Sequence, residues 1–512
     1  MATPKVQDKS PRAASAWSTP KAGLAGHGAD TQLPLTVDVA IIGGGFSGAS
    51  MAYHLTQALD ARVALLEAGE FCSEASGRNG GQIRPDVYKY TAQVQAQTDS
   101  ADALRLAEFE LENYAAIHET VAALGIECEL SAGDTEGWRV FLDRAEFETA
   151  LAALAKTRAL GLDAPDVRVY QAPAVVAATG IKTAVGAIAG PASPISGYRL
   201  VDGLLKASIE AGLTLLTHTP VTAIGAPTAD DDDFEQVVVG ADGVDVERSP
   251  ASYAFRLDTP RCPVYADRVV HATNGLVESL LDLGRVVVPV RGNVLELAPA
   301  EGTTAPPLSR DAAHKITNMN FNDGGEYLVQ RPNGNLVLGG GRRFDPGRGV
   351  LDVATAAATV AVAAAGGPAP AFAVDADVNL WLRGFFSRVL LNEPARTVPA
   401  LTAAPAGPWR VVREWTGVMG HSADGMPLVG RVPDRPGQYC VAGFTGHGMP
   451  RIFLCAKELA QAIVADASAD GLVAKAAGAA HLGASEARMP RVFELSGARL
   501  EALRAAAVGH VY

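Results

Sequence analysis

Residues Val37 to Glu67 read VDVAIIGGGFSGASMAYHLTQALDARVALLE. The short apolar run Val37 to Ile42 predicts a buried strand. Gly43, Gly45 and Gly48 then satisfy G-x-G-x-x-G, with Phe46 and Ser47 inside the motif. A helical stretch follows from Ala49 to Leu59, and a second apolar run, Val63 to Leu66, ends at Glu67. The glycines have separate jobs: a tight turn, close approach of backbone to a pyrophosphate, and packing of helix on strand. The helix N-terminus adds free N–H groups and the positive end of a dipole. Glu67 follows the motif at close to the spacing of about 20 residues expected for an acid that grips a ribose hydroxyl. Strand, turn, helix, second strand and acid together predict a dinucleotide site. The plainer alternative is a Gly-rich turn in an ordinary βαβ unit.

The chain has 512 residues, 48% of them apolar, which is enough for two globular domains with sizeable cores. Its net charge of −13 argues against nucleic acid or an anionic membrane as a main partner, because both call for a basic surface. Cys72, Cys128, Cys262, Cys440 and Cys455 are scattered and form no CxxC pair. A disulfide framework or metal site is therefore not expected, and a reducing, cytoplasmic location is. The first 35 residues show no apolar core of a secretory signal, and no apolar run reaches transmembrane length. The terminal His510-Val511-Tyr512 is not a peroxisomal address.

Residues 1–34 read as a polar lead in which Trp17 offers an anchor, the blander expectation being a flexible arm. From Thr91 to Leu124 the pattern is helical, with Leu106, Phe109, Tyr114, Ile117 and Val121 near one face. Val201 to Ala211 reads as a helix, and Leu213–Leu216 and Val221–Ile224 as strands. Asp230 to Asp233 reads as a solvated loop. ADRVVHATNG, residues 266–275, is a strand ending in a small-residue turn, the kind of strand end that abuts a cofactor in doubly wound sheets. Val286–Val294, Glu326–Gln330 and Asn335–Leu338 suggest an antiparallel sheet, the last two joined through Pro332-Asn333-Gly334. Ala354 to Ala371 suggests a weak helix and loop. Near the C-terminus, Tyr439–Phe444 reads as a strand, a helix is expected to open at Gly446-His447-Gly448, and Gly497–Ala507 as a terminal helix.

The segments VDVAIIGGGFSG, LLEAGEFCSEASGRNGGQI, ADRVVHATNG, EYLVQRPNGNLVLGGGRR, EWTGVMGHSADGMPLVG and YCVAGFTGHGMPRI together resemble the D-amino-acid-oxidase-type FAD-dependent oxidoreductases. That family includes glycine oxidase, sarcosine oxidase and the γ-glutamylputrescine oxidase branch, and ASGRNGGQ is most like the last. The long lead and GHGMPRI resemble fungal members. The resemblance implies an α/β fold in which a Rossmann-like FAD-binding domain (residues 37–100, 195–283 and 405–466) is interleaved with a mixed-sheet substrate domain (101–194 and 284–404), before a tail, 467–512. It also implies dissociable FAD at Gly43, Gly45, Phe46, Ser47, Gly48, Glu67 and Ala68. Further implied contacts are the loop Ser76, Arg78, Asn79, Gly80, Gly81 and Gln82; Val221, Thr273 and Asn274; and Gly446, His447, Gly448 and Met449. The expected chemistry is oxidation of an amine C–N bond by hydride transfer to flavin N5, with O2 as acceptor, giving imine and H2O2. Since the flavin carries the hard step, no triad or metal cluster is required.

Candidates on the substrate side are Gln82, Arg84, Tyr88, Tyr327, Arg331, Arg342, Trp415, Met419 and His421, with Gln82, Tyr327, Arg342, Met419 and His421 favoured as catalytic. Tyrosines at strand spacing are more often core, and a lone histidine is more often structural than catalytic. Two departures from the family pattern are informative. Amino-acid oxidases carry a carboxylate-clamping arginine where this chain has Met419, and Met cannot replace it, which shifts weight toward amines. The sarcosine-oxidase branch tethers flavin through a cysteine in the segment matching Trp415 to Asp424, where this chain has none. Rival expectations are an amino- or imino-acid oxidase or dehydrogenase with Arg84, Arg331 or Arg342 as clamp, a tRNA-modifying flavoprotein disfavoured by the acidic charge, and a protein that binds flavin for structure only.

Overall fold

The computed structural model describes residues 15–17, 23–30, 36–131, 134–229, 231, 248–299, 308–345, 347–353, 375–390, 409–475, 478–482 and 489–507. The weak helix expected at 354–371 lies outside them.

Strand β1, Thr36–Ile42, helix α1, Phe46–Ala58, and strand β2, Val63–Leu66, form the expected unit. β1 and β2 are parallel, with Ile42 opposite Leu66. That register brings Gly43 level with Glu67, and Gly43 N–H donates to Leu66 C=O at 2.9 Å. The parallel sheet runs Gln438–Ala442, Val264–His271, β1, β2, Thr214–Leu216. Side chains alternate across it. Val39, Ile41, Val63 and Leu65 pack with Ala49, Ala52 and Leu55 of α1, while Ala40, Ile42, Ala64 and Leu66 form a separate core on the other face. A parallel sheet covered on both faces is why these strands read as unbroken apolar runs.

A second sheet of eight strands stands against the first. Its order is Trp409–Ser422, Val287–Pro299, Leu336–Gly340, Glu326–Gln330, Ile316–Phe321, Glu136–Phe141, Gly186–Pro191, Arg168–Gln171. All neighbours are antiparallel except Ile316–Phe321 with Glu136–Phe141. The expected hairpin turns at Gly334, whose φ of +86° suits glycine.

Several expectations need correction. Trp409–Ser422, expected among the FAD-binding segments, pairs along its length with Val287–Pro299 in the second sheet. The stretch 101–124, expected with the substrate domain, buries Leu106, Phe109, Ile117 and Val121 in the core that also holds α1. Its helix is split: Thr91–Gln97 ends, and Ser100–Leu124 restarts from Asp99, whose carboxylate accepts from Asp102 N–H at 2.9 Å, a strong N-cap. Of the run Asp230 to Asp233, expected to be solvated, the other three lie outside the described residues and Asp231 is buried. It accepts from Arg256 at 2.5 Å and from the Tyr265 hydroxyl at 2.6 Å, which offsets its desolvation. Trp17 is buried, so this part of the lead is packed onto the body. Gly497–Ala507 is helical as expected and buries Leu500 and Leu503. Among the described residues no helix is long and apolar enough to cross a membrane.

Candidate active site

A cavity of about 790 Å³ lies between the carboxyl ends of the parallel strands and the inner face of the second sheet, where doubly wound folds place their ligands. Gly43, Gly45, Phe46 and Ser47 line it at the start of α1, and Glu67 and Ala68 at the end of β2. Ser76, Arg78, Asn79, Gly80, Gly81 and Gln82 supply a wall, as do Val221, Thr273, Asn274 and the turn Gly446 to Met449. Gly48 alone of the expected cofactor residues stands behind the wall. A Cβ there would sit 1.8 Å from the Gly43 carbonyl oxygen, so its hydrogen lets α1 close on the turn.

The chemistry of this wall fits a dinucleotide. α1 begins at Gly45, which offers no side-chain cap, and its first turn holds no acid. Phe46 N–H, the first amide of the helix, donates to Ser76 Oγ at 2.8 Å, and the positive end of the helix lies at the cavity, where an anion is favoured. Glu67 accepts from Gly44 N–H at 2.7 Å with one oxygen and from Gly69 N–H at 2.9 Å with the other. A carboxylate has about four acceptor sites, so each oxygen keeps capacity for a ribose hydroxyl. Burial raises the Glu67 carboxyl, and the two N–H groups pull it back. Asn274, at φ +47°, accepts from the N–H groups of Gly443 and Phe444 and so clamps two strand ends together. The helix expected after Gly446-His447-Gly448 starts at Ile452. Thr445 at φ +51° and Gly446 at φ +74° turn the chain out of the helical path, leaving Gly446-His447-Gly448 as a turn.

The facing sheet supplies the other side. Arg139, Asn320, Tyr327, Gly339, Val294 and Trp415 are successive cross-strand partners. The Tyr327 ring lies between Gly80 and Gly339. A Cβ on either would come within 2.3 or 2.1 Å of the tyrosine, and burial raises its phenol. Along Trp409–Ser422 the two-residue period puts Gly417, Met419 and His421 on one face, and all three line the cavity. Met419 fills space freed by Gly292 and Gly446. His421 Nε2 accepts from Arg342 Nη1 at 2.8 Å. Because arginine only donates, the imidazole proton is assigned to Nδ1. Burial, with the nearby Arg342 charge, pushes His421 down to about 3.

Arg78 of the wall donates to the Thr416 carbonyl, and the cavity's other arginines and lysine divide into two kinds. Arg139 pairs with Asp86 at 2.7 Å and Asp323 at 3.2 Å, and Lys89 pairs with Asp323 at 3.1 Å. Among the described residues no carboxylate pairs with Arg84 or Arg342, both of which line the cavity. Burial lowers both guanidinium groups, aided by Arg139 and opposed by Asp86 and Glu110 for Arg84, and aided by Arg348 for Arg342. Of the remaining candidates, Arg331 lies outside the wall, held by Glu129 at 2.8 Å and Glu296 at 2.9 Å. Tyr88 lies outside it beneath Arg139, and Trp415 outside it, donating to the Arg78 carbonyl at 3.0 Å.

Glu110 was not anticipated. It is wholly buried, bonding His447 Nε2 at 2.9 Å and Arg451 Nε at 2.7 Å. The signal was available: Leu106, Glu110, Asn113, Ile117 and Val121 share one helical stripe, and an acid in an apolar stripe marks a buried partner.

The family model described as DAO, FAD dependent oxidoreductase, matches residues 38–462. Gamma-glutamylputrescine oxidoreductase of Escherichia coli (strain K12) is 35% identical over 100 residues, 19% of this chain and 23% of that protein. The matched stretch thus spans under a quarter of that relative's length. Glycine oxidase from Geobacillus kaustophilus superimposes with a TM-score of 0.60 at 19% identity, covering 85% of this chain and 95% of that one. Iminodiacetate oxidase from Chelativorans sp. BNC1 gives 0.57 at 18%, covering 83% and 95%. At these identities the structural likeness is one of fold. With the match covering most of its length, this chain belongs to the FAD-dependent oxidoreductase family, with FAD as its cofactor.

Proposed function

We propose that the protein oxidises the C–N bond of an amine that also carries a carboxylate, with O2 taking the two electrons to give an imine and H2O2. Bound FAD supplies the hydride acceptor at N5. The chain's residues bind, orient and exclude water. The turn at Gly43 to Ser47 and Glu67 would hold the pyrophosphate and ribose, and Ser76 to Gln82 with Tyr327 would flank the ring. Met419 gives the reacting end of the substrate an apolar, adaptable surface. Arg342 would take the carboxylate, with Arg84 as a second cation. His421 positions Arg342 and is no base near neutral pH, since its free nitrogen lone pair already accepts from the guanidinium.

The observation that carries this reading is the pair of cavity arginines with no carboxylate partner among the described residues, beside two cations that have theirs. A desolvated guanidinium with no acid beside it, as at Arg342, is costly, and a substrate carboxylate offsets that cost through charge-assisted hydrogen bonds. The weight that Met419 lent to amines without a carboxylate is therefore reversed. Met419 shares its strand face with His421, and His421 holds an arginine in place. The test is anaerobic bleaching of the flavin by matched amines with and without a carboxylate. The carboxylated member should bleach the wild type faster, and Arg342→Met should erase the difference. Faster bleaching by the plain amine, unaltered in both Arg342→Met and Arg84→Met, sinks the reading.

A further inference from the structure

Five of the six carbonyls in the loop Ser76 to Gly81 meet donors that can be named. Asn79 Nδ2 donates to Ser76 C=O at 3.0 Å and Ile195 N–H to Gly81 C=O at 2.9 Å. Trp415 Nε1 donates to Arg78 C=O at 3.0 Å. The other two donors come from the N-terminal lead. Ser15 Oγ donates to Gly77 C=O at 2.6 Å and Trp17 Nε1 to Asn79 C=O at 2.9 Å. Two indoles therefore grip consecutive carbonyls, one from the lead and one from the second sheet.

Trp17 is fixed as firmly as a core residue. It is 2% exposed. Its ring lies so close to Gly81 that a Cβ there would fall 2.0 Å from Cζ2. On its other side the Arg331 guanidinium sits 4.6 Å from the ring centroid, and Arg413 donates to Ser15 C=O at 3.1 Å. Trp17 does not line the cavity, but the loop beneath it does, and so does the next residue, Gln82, whose buried Oε1 has no partner among the described residues.

We propose that Ser15 to Trp17 form a strap that sets the shape of the loop Ser76 to Gln82, so that Trp17 governs how tightly FAD is retained without touching it. The proposal rests on the reading that this loop flanks the flavin. A loop whose carbonyls are held by buried donors is pre-organised, and pre-organisation raises affinity by removing an ordering cost at binding. Trp17 is thus a positioning residue.

The test uses the full chain, stripped of flavin and reconstituted. The readouts are the FAD dissociation constant and the visible circular dichroism of the bound flavin. Trp17→Phe keeps a ring on Gly81 and loses the N–H, so FAD should bind about five-fold more weakly, the worth of one buried hydrogen bond. Trp17→Ala should weaken it more than about ten-fold and alter the flavin dichroism. Leu503→Ala, in a core remote from the loop, should lower Tm and leave both readouts unchanged. Gly80→Ala drives a methyl onto Tyr327 and reports on the loop itself. If it alters the dichroism while both Trp17 variants bind FAD as the wild type does, the loop reading stands and the strap is overturned. If Gly80→Ala leaves the dichroism unaltered with FAD bound, the loop reading falls and the strap with it. Should Trp17→Ala fail to fold, Trp17→Phe decides alone: unchanged FAD binding overturns the proposal.

Discussion

Arg342 and His421 form a one-way pair. The guanidinium donates to Nε2 at 2.8 Å, and the imidazole remains neutral because a proton there would face the arginine charge in a buried site. The histidine is held near 3 when folded, against about 6.5 when unfolded. Between those values the unfolded chain binds the extra proton, so stability falls as pH falls.

His421→Gln keeps an acceptor for Arg342 and removes the titration. Between pH 7 and pH 5 the wild type should lose about 2 kcal/mol more stability than this variant. Urea denaturation at both pH values checks it. Parallel losses in the two proteins would show that His421 is not the depressed group.

Arg342→Met should raise KM for a carboxylated amine by about ten- to a hundred-fold, the worth of a charge-assisted pair in a desolvated site, and should change FAD affinity little. Steady-state kinetics beside flavin titration separates the two effects. A change confined to kcat would place Arg342 in some other role.

Glu67→Gln should weaken FAD binding by about 1–3 kcal/mol, since the amide accepts more weakly than the carboxylate and must also satisfy Gly44 and Gly69. Flavin bleaching by substrate in the reconstituted variant should be nearly unchanged. An unaltered FAD dissociation constant would remove Glu67 from the site.

Two glycines of one motif should fail differently. Gly48→Ala puts a methyl 1.8 Å from the Gly43 carbonyl oxygen, while Gly45→Ala puts one 3.2 Å from Ser76 Oγ. Overpacking of the first kind costs about 1–3 kcal/mol or more and should lower the Tm of the flavin-free protein. Gly45→Ala should leave that Tm nearly intact and weaken FAD binding instead. Equal effects on both readouts would refute the division of labour.

Heat or acid should release the flavin completely, as FAD, into the supernatant. The segment Trp415 to Asp424 contains no cysteine. Cys72 does line the cavity, but burial pushes its thiol well up and keeps it from the reactive thiolate form. Flavin retained on the precipitated chain would contradict this.

What the sequence disclosed depended on whether a residue's task is local. Gly43, Gly45, Gly48 and Glu67 act within one βαβ unit, and their spacing reveals them. Gly446-His447-Gly448 lines the cavity and the helix follows it from Ile452, but only the backbone shows how far the turn separates the two, because Thr445 and Gly446 leave the helical path. Trp409–Ser422 has strand periodicity in the sequence, but which sheet it joins depends on Val287–Pro299, more than a hundred positions away. The arginines were least legible. Arg84, Arg331 and Arg342 look alike as letters, and only the partners Glu129 and Glu296 show that Arg331 is committed elsewhere.

The parallel sheet is assembled from strands that the ribosome makes far apart in time. β1 emerges early, yet one neighbour, Val264–His271, appears half a chain later, and the strand beyond it, Gln438–Ala442, later still. The indole that clamps Arg78 belongs to residue 415. A nascent chain carrying the complete glycine motif therefore cannot yet close the site that motif serves. Such long-range pairing slows folding and prolongs the exposure of apolar strands. The walls of the FAD cavity draw on residues as late as Ile452, so the complete site exists only once nearly the whole chain has been made.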